Sequence, residues 1–253
     1  REFERLSTTV INSYLGPRMK MYIHNLQERI REIGVKVEPY ITQSNGGVMS
    51  ISSTIQTPVQ TALSGPSAGV MGAIYVAKAA GFQDIITYDM GGTSTDVSLV
   101  KGGIAEYTTK RKVCGLPSGV PMIDVHAVGA GGGSIAHIDN AGALKVGPES
   151  AGANPGPVAY NLGNQQPVVT DANLVLGRIN PHYVLGGRLK IDAQLSRAAM
   201  KKQIADPMGL SVEAAAQGVI SVVNSNMARA IRVITVEKGH NPSDFALVAY
   251  GGA

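Results

Sequence analysis

Tryptophan is absent from the sequence, cysteine occurs once and phenylalanine three times. The single cysteine, Cys114, excludes an internal disulfide and a cysteine-rich metal site. It is expected to be a small buried apolar residue rather than a nucleophile, and a cytoplasmic, reducing compartment is the default. No run of 18 apolar residues occurs, so no membrane span is expected. Charge is sparse: 16% of residues carry it, and the net +4 is dispersed. The one basic cluster, Lys110-Arg111-Lys112, reads as a solvated strand edge, too narrow for a nucleic-acid face. Walker A, H-E-x-x-H and paired C-x-x-C motifs are all missing. The start at Arg1 lacks methionine and the end at Gly251-Gly252-Ala253 reads as mid-turn. A fragment of a longer polypeptide is therefore expected, and a missing targeting segment carries no weight.

Glycine, by contrast, numbers 31 in 253 residues, well above the usual ~7%. The glycines fall in short clusters between apolar runs, which signals tight turns and backbone-lined sites. The apolar fraction of 44% supports one large or two smaller domains.

Periodicity predicts a helix over 6–33, a strand over 35–42, a turn at Ser44-Asn45-Gly46-Gly47 and a short strand at 48–51. A helix over about 64–80 is expected, N-capped by Ser64 or Ser67 and stopped by Gly81, with small residues on one face. A hairpin at 84–100 follows, then strands over 104–113 and 122–128, and a second hairpin over 135–146. Residues 147–190 read as irregular, with a short helix near 172–176. Asp192 starts a helix that breaks at Asp206-Pro207. Ser211 caps another, carried to Lys238, and Phe245 to Tyr250 reads as a buried strand.

The turn of the first hairpin, Tyr88-Asp-Met-Gly-Gly-Thr-Ser-Thr-Asp96, draws most attention. Glycines without a Cβ let backbone N–H groups converge on an anion, and hydroxyls add donors. Carboxylates beside phosphate require a hard cation between them, or a base role for one of them. An ordinary Gly-Gly hairpin with capping aspartates fits the same residues. Gly131-Gly-Gly133-Ser-Ile-Ala136 fits the loose dinucleotide pattern, but no helix pattern follows it. Gly65-Pro-Ser67-Ala-Gly69 fits a nucleophile elbow, with Asp171 and His240 in the required order. The segment before it is a poor central strand, and the serine stands where a helix cap belongs. Asp124 and His126 share one face of a strand. They can bind a divalent metal, shuttle a proton, or form a structural pair.

Taken in order, these motifs resemble the hydantoinase A / 5-oxoprolinase family. The resemblance rests on Asp89–Val97, Ser44–Gly47, Ser64–Gly69, Ile123–His126 with Gly129–Ser134, Gly147–Pro157, Val169–Asn173 and Phe245–Ala253. It implies an α/β, actin-like ATPase (ribonuclease H-like) fold. Residues 1–83 would be the end of the first domain with its crossover helix. Residues 84–253 would be most of the second, cut in the adenosine loop at Gly251-Gly252. It implies ATP with Mg²⁺, and ATP-dependent opening of a small cyclic amide of the hydantoin or 5-oxoproline type. The alternatives are the ATP-using subunit of an acetone-type carboxylase, or a non-catalytic fragment. By the same resemblance Gly91, Gly92, Thr93, Ser94 and Thr95 hold phosphate, and Gly129, Gly131, Gly132, Gly133 and Ser134 add backbone donors. Asp89 and Asp96 hold Mg²⁺ or orient the attacking group. Asp124 and His126 serve substrate-side chemistry or a second divalent metal. A hydantoinase B-type subunit or fused domain and an oligomeric assembly are implied as well, with no nucleic acid and no membrane.

Overall fold

The computed structural model describes residues 2–113 and 115–252; Cys114 lies outside the described residues. In chain order the regular elements are α1 (Glu2–Glu32), β1 (Ile41–Thr42), β2 (Val48–Met49), α2 (Ile51–Gln56), α3 (Ser64–Ala79), β3 (Ile85–Met90) and β4 (Thr95–Lys101). Then come β5 (Ile104–Ala105), β6 (Tyr107–Thr108), β7 (Arg111–Val113), β8 (Leu116–Ser118), β9 (Met122–Ile123), β10 (Val125–Val128), β11 (Ser134–Ile138) and β12 (Leu144–Ser150). The chain closes with α4 (Val169–Val175), α5 (Ala193–Met200), α6 (Asp206–Met208), α7 (Val212–Ile234) and β13 (Ala246–Tyr250). One five-stranded sheet has the order β10-β4-β3-β13, with β5 paired to β4. The chain divides into two compact units, residues 1–87 with 98–125 and residues 88–97 with 126–253.

In the first unit α1 buries only Ser7, Ile11 and Ile23 and carries Pro17 within it. It is held by directed bonds: the Ser7 hydroxyl donates to the Pro117 carbonyl at 2.7 Å, and Asn12 bridges Gln56 and Val59. The strand expected over 35–42 shrinks to Ile41–Thr42. Val35 and Val37 are exposed, so alternation buries no face there, and Pro39 lacks a ladder donor. The strand expected at 48–51 stops at Met49, because Ser50 caps α2 instead. The strand expected over 104–113 breaks into β5, β6 and β7, each with a different partner.

Neither Ser64 nor Ser67 caps α3; the cap position is Leu63, in left-handed conformation and without a side-chain bond. Ser67 is buried, and its hydroxyl donates to the Ser44 carbonyl at 2.7 Å and to the Leu63 carbonyl at 3.0 Å. A serine spent in this way inside a helix turn is a tie between α3 and the 44–47 turn, which removes the nucleophile-elbow reading.

The second unit is built on α7. Ser211 caps it as expected, accepting from the Ala214 amide at 3.1 Å. Its inward face, with Ala215, Ala216, Val219, Ile220, Val223 and Met227, packs with Met200, Ile204 and Ala205 and with Val169 and Ala172 of α4. The α-helix ends at Ile234, and a 3-10 turn then reaches Gly239, which adopts φ 80°. By length and composition alone the 212–238 stretch is apolar enough to cross a membrane, a test that a core helix also passes. Its apolar stripe is used by the core. The break expected at Asp206-Pro207 is instead a π-helical turn over 201–205 running into α6. Pro207 sits in the first turn of α6, where a missing N–H costs little. β13 lies at the sheet edge and is only half-buried.

Asp171 organises the long irregular stretch. Its buried carboxylate accepts from the amides of Val158 (3.0 Å), Ala159 (3.1 Å) and Val168 (3.0 Å) and from the Ser196 hydroxyl (2.5 Å). One side chain thus ties residues 158–168 to α4 and α5. Its acceptor capacity is filled by structural donors, which removes it from any catalytic triad.

Candidate functional site

The turn between β3 and β4 closes tightly: the Gly91 amide donates to the Ser94 carbonyl at 2.9 Å. Behind it stands the glycine loop that follows β10. The Gly132 amide donates to the Gly91 carbonyl at 3.1 Å and the Gly133 amide to the Gly92 carbonyl at 2.6 Å. A trans peptide places its C=O and N–H on opposite sides. With the Gly91 and Gly92 carbonyls drawn onto the glycine loop, the Gly92 and Thr93 N–H groups face away from it. Gly92 and Thr93 are exposed. Among the described residues, the amides of Gly92, Thr93 and Ser94 and the hydroxyls of Thr93 and Ser94 find no hydrogen-bond partner. A concave set of outward N–H groups favours an anion.

This geometry revises the part expected of the glycine loop. Its amides are not open donors: Gly131 donates to the Ser134 hydroxyl at 2.8 Å and Ser134 to the Gly131 carbonyl at 3.0 Å. With Gly132 and Gly133 bound to the turn, the loop aims the turn's donors rather than adding its own. Close contact explains the glycines. A Cβ on Gly131 would stand 2.6 Å from the Gly91 carbonyl oxygen and 2.7 Å from the Thr93 carbonyl carbon. One on Gly133 would stand 2.9 Å from the Gly92 oxygen. Gly129 packs in the same way against Pro148. We expect Gly131→Ala to lower the melting temperature, because backbone would have to move. Gly119→Ala, whose Cβ meets only Thr8 at 3.6 Å, should leave it unchanged.

Thr95 also takes a different place from that expected. It is fully buried, and its hydroxyl donates to the Ala130 carbonyl at 2.5 Å, with the Met227 sulfur at 3.3 Å. The Tyr88 hydroxyl donates to the same sulfur at 2.5 Å, and burial pushes its pKa up. Thr95 therefore fastens the base of the turn to the glycine loop and to α7, while Gly91 to Ser94 form the open rim. Thr170, at the start of α4, holds the Gly132 carbonyl with both its amide (2.8 Å) and its hydroxyl (2.9 Å). Sequence reasoning missed Thr170 and Met227 as supports. The Val169–Asn173 motif was the only signal for the first, and nothing local marks the second.

Asp89, one residue before the end of β3, is half-buried, and burial pushes its carboxyl above the usual range. Gly251 lies against it: a Cβ there would come within 2.7 Å of the Asp89 Oδ1 and closer still to the Met90 carbonyl, at φ 118°. The Gly251-Gly252 turn is exposed beside Asp89, while Asp96 is half-buried early in β4. Asp124 belongs to the first unit and His126 to the second. Asp124 is ion-paired with Arg111 Nη1 at 3.7 Å, and the same guanidinium bonds the Val125 carbonyl. Arg111 is thus half-buried and committed, unlike the solvated edge expected of its cluster. No group of three or more His, Cys, Asp or Glu side chains among the described residues can hold a metal ion. The sequence-based expectation of a second metal at Asp124 and His126 accordingly gains no third side-chain ligand. A cavity of about 980 Å³ in the second unit, between the β11–β12 hairpin and α7, includes Gly129 but no other predicted site residue.

Residues 5–253 match the Hydantoinase/oxoprolinase family model. The chain is 45% identical to the caprolactamase subunit alpha of Pseudomonas jessenii over its whole length, and covers 36% of that protein. Against the solved ATP-dependent caprolactamase from P. jessenii the TM-score is 0.86, at 45% identity, with 100% of this chain and 37% of that one covered. Against nucleotide-free acetone carboxylase, a structure on the mechanism of ATP-dependent acetone carboxylation, it is 0.88 at 35% identity, covering 100% and 36%. The chain thus spans a little over a third of these relatives. Its fold is the α/β fold of actin-like ATPases. The chain belongs to the hydantoinase/oxoprolinase family.

Proposed function

We propose that this chain supplies one phosphate-binding jaw of an enzyme that uses ATP to open cyclic amides. The observation carrying this reading is the turn whose Gly91 and Gly92 carbonyls are tied back, leaving the Gly92 and Thr93 N–H groups outward and the Ser94 amide without a partner among the described residues. Those donors, with the Thr93 and Ser94 hydroxyls, would hold the phosphates of ATP. Asp89 and Asp96 suit Mg²⁺, which keeps most of its waters and takes one or two carboxylates plus phosphate oxygens; a cage of three side chains is not required. Bound there, Mg²⁺ would neutralise phosphate charge. The exposed Gly251-Gly252 turn would meet the adenosine.

An amide carbonyl is a poor electrophile. Transfer of the γ-phosphoryl group from ATP to its oxygen would release ADP and activate the carbon; water would add there, the ring C–N bond would break with its nitrogen taking a proton, and a second water would release phosphate and leave the carboxylate. The turn's fixed dipoles would stabilise charge on the transferring group without reorganising. Asp124, oriented by Arg111, and His126 are the candidates for substrate-side chemistry. In this reading residues 1–83 end the first actin-like domain and 84–253 form most of the second, and the other phosphate jaw lies outside these residues. The 253 residues alone should not turn over ATP. A B-type subunit or domain is the expected partner, in line with the caprolactamase relative being named a subunit. The second reading, favoured by the likeness to acetone carboxylase, keeps the jaw and changes the acceptor to a ketone.

The test is ADP release by the full-length protein with its partner, offered 5-oxoproline, hydantoins, caprolactam, or acetone with bicarbonate. Stimulation by a cyclic amide supports the first reading. Stimulation by acetone and bicarbonate alone moves the assignment to the second.

A further inference from the structure

The phosphate-binding jaw makes no use of the Ser44-Asn45-Gly46-Gly47 turn, which lies in the first unit. The fold fixes that turn from three sides. The Ser44 amide donates to the Gln60 carbonyl at 2.7 Å, while the Ser67 hydroxyl and the Ile123 amide donate to the Ser44 carbonyl at 2.7 and 2.9 Å. Gly46 stands at φ 81°, where a Cβ would come within 2.6 Å of Met71 and 2.9 Å of Ile123. Side chains on a turn held in this way are presented at fixed positions.

The side chains presented are carboxamides. Gln43, Asn45 and Gln60 line a cavity of about 320 Å³ together with Ser44, Val120 and Pro121, within the about 300–1,000 Å³ of small-molecule sites. Among the described residues none of the lining side chains is charged, which suits a neutral ligand. The Gln43 Nε2 donates to the Gln60 Oε1 at 3.3 Å, and the Asn45 Oδ1 accepts from the Gly47 amide at 2.9 Å. Among the described residues the Gln43 Oε1 and the Gln60 Nε2 find no hydrogen-bond partner. The joined pair thus offers one acceptor and one donor beside the apolar Val120 and Pro121.

We propose that Gln43 and Gln60 recognise the amide edge of the cyclic substrate. The ring N–H donates to the Gln43 Oε1, the ring carbonyl accepts from the Gln60 Nε2, and ring carbons lie against Val120 and Pro121. This rests on the cyclic-amide reading above and names the residues that select for it. A small ring holds its amide cis, so C=O and N–H share one edge; an open-chain amide is trans and places them on opposite sides. A ketone has the acceptor alone and leaves the Gln43 oxygen without its donor. A site built to bond a group rejects the analogue that lacks it. The bond from the Ile123 amide to Ser44 also ties this turn to the neighbour of Asp124, the candidate for substrate-side chemistry.

The test is ADP release by the full-length protein with its partner, stimulated by caprolactam or 5-oxoproline and by the N-methyl derivative of each. Methylation removes the N–H that Gln43 accepts. Wild-type kcat/KM should favour the unmethylated amide about tenfold or more. Gln43→Leu, of similar size, should bring that preference to within about threefold by losing rate with the unmethylated amide, at an unchanged KM for ATP and an unchanged melting temperature. Gln60→Glu keeps an oxygen for the bond from Gln43 and replaces the donor by an acceptor. It should raise KM for the unmethylated amide about tenfold or more. A wild-type preference retained in Gln43→Leu, or an unaltered KM in Gln60→Glu, would overturn the proposal and leave the cyclic-amide reading standing. Wild-type protein stimulated by no cyclic amide would overturn that reading and this inference with it.

Discussion

Asp89→Asn in the full-length protein should cut ATP turnover about 100-fold or more, the scale of removing one preorganised electrostatic group from a charged transition state. The substitution keeps the size of a side chain that packs against Gly251 and removes only its charge. The fold should therefore survive, with an unchanged circular dichroism spectrum. The stability effect has the opposite sign from the activity effect. Burial raises the Asp89 pKa, so folding makes the carboxyl hold its proton more tightly. Between the unfolded and folded pKa values the native state binds more protons, and stability falls as pH rises through that window. Above it the ionised carboxylate opposes folding. Asp89→Asn should accordingly hold or raise the melting temperature at neutral pH while turnover collapses, a trade common at sites built for charge. Full activity in Asp89→Asn would remove this residue from the site.

Asp171→Ala should have the largest effect on stability. It deprives three buried amides and the Ser196 hydroxyl of their acceptor. Each buried donor left unpaired costs about 1–3 kcal/mol, against a total stability of about 5–15 kcal/mol. A loss of about 4 kcal/mol or more is expected in urea denaturation, enough to threaten expression. Asp171→Asn should cost less. Its oxygen can serve Val158 and Val168, and the Ser196 hydroxyl can turn to accept from the new NH₂, which leaves Ala159 as the one opposed donor. A loss below about 1 kcal/mol for the alanine variant would contradict the clamp.

What the sequence disclosed and what it hid follow one physical line. The 89–96 turn, its glycines and the hairpin around it were legible, since glycine pairs and flanking β-branched runs carry their conformation locally. So was α7, whose apolar stripe and Ser211 cap are periodic signals. The division of labour at the site was not legible. That Gly132 and Gly133 spend their amides on the turn, and that Thr95 faces inward onto Ala130 and Met227, depends on segments more than 30 residues apart meeting. Asp171 stood in the chain order that a nucleophile-elbow triad requires; only its four donors identify a clamp. Arg111 read as one of three solvated cations because its partner, Asp124, comes from the junction between β9 and β10. The helix cap failed for a related reason: Ser67 had a better acceptor in Ser44 than its own helix offered.

The central claim is that the Gly92, Thr93 and Ser94 donors hold ATP phosphates. Hydrogen exchange of the full-length protein with its partner, with and without saturating ATP and Mg²⁺, tests it most directly. These amides have no partner within the described residues, so they should exchange freely without nucleotide and slow at least tenfold with it. Unchanged exchange across residues 91–94, with ATP bound by calorimetry, would place the phosphates elsewhere.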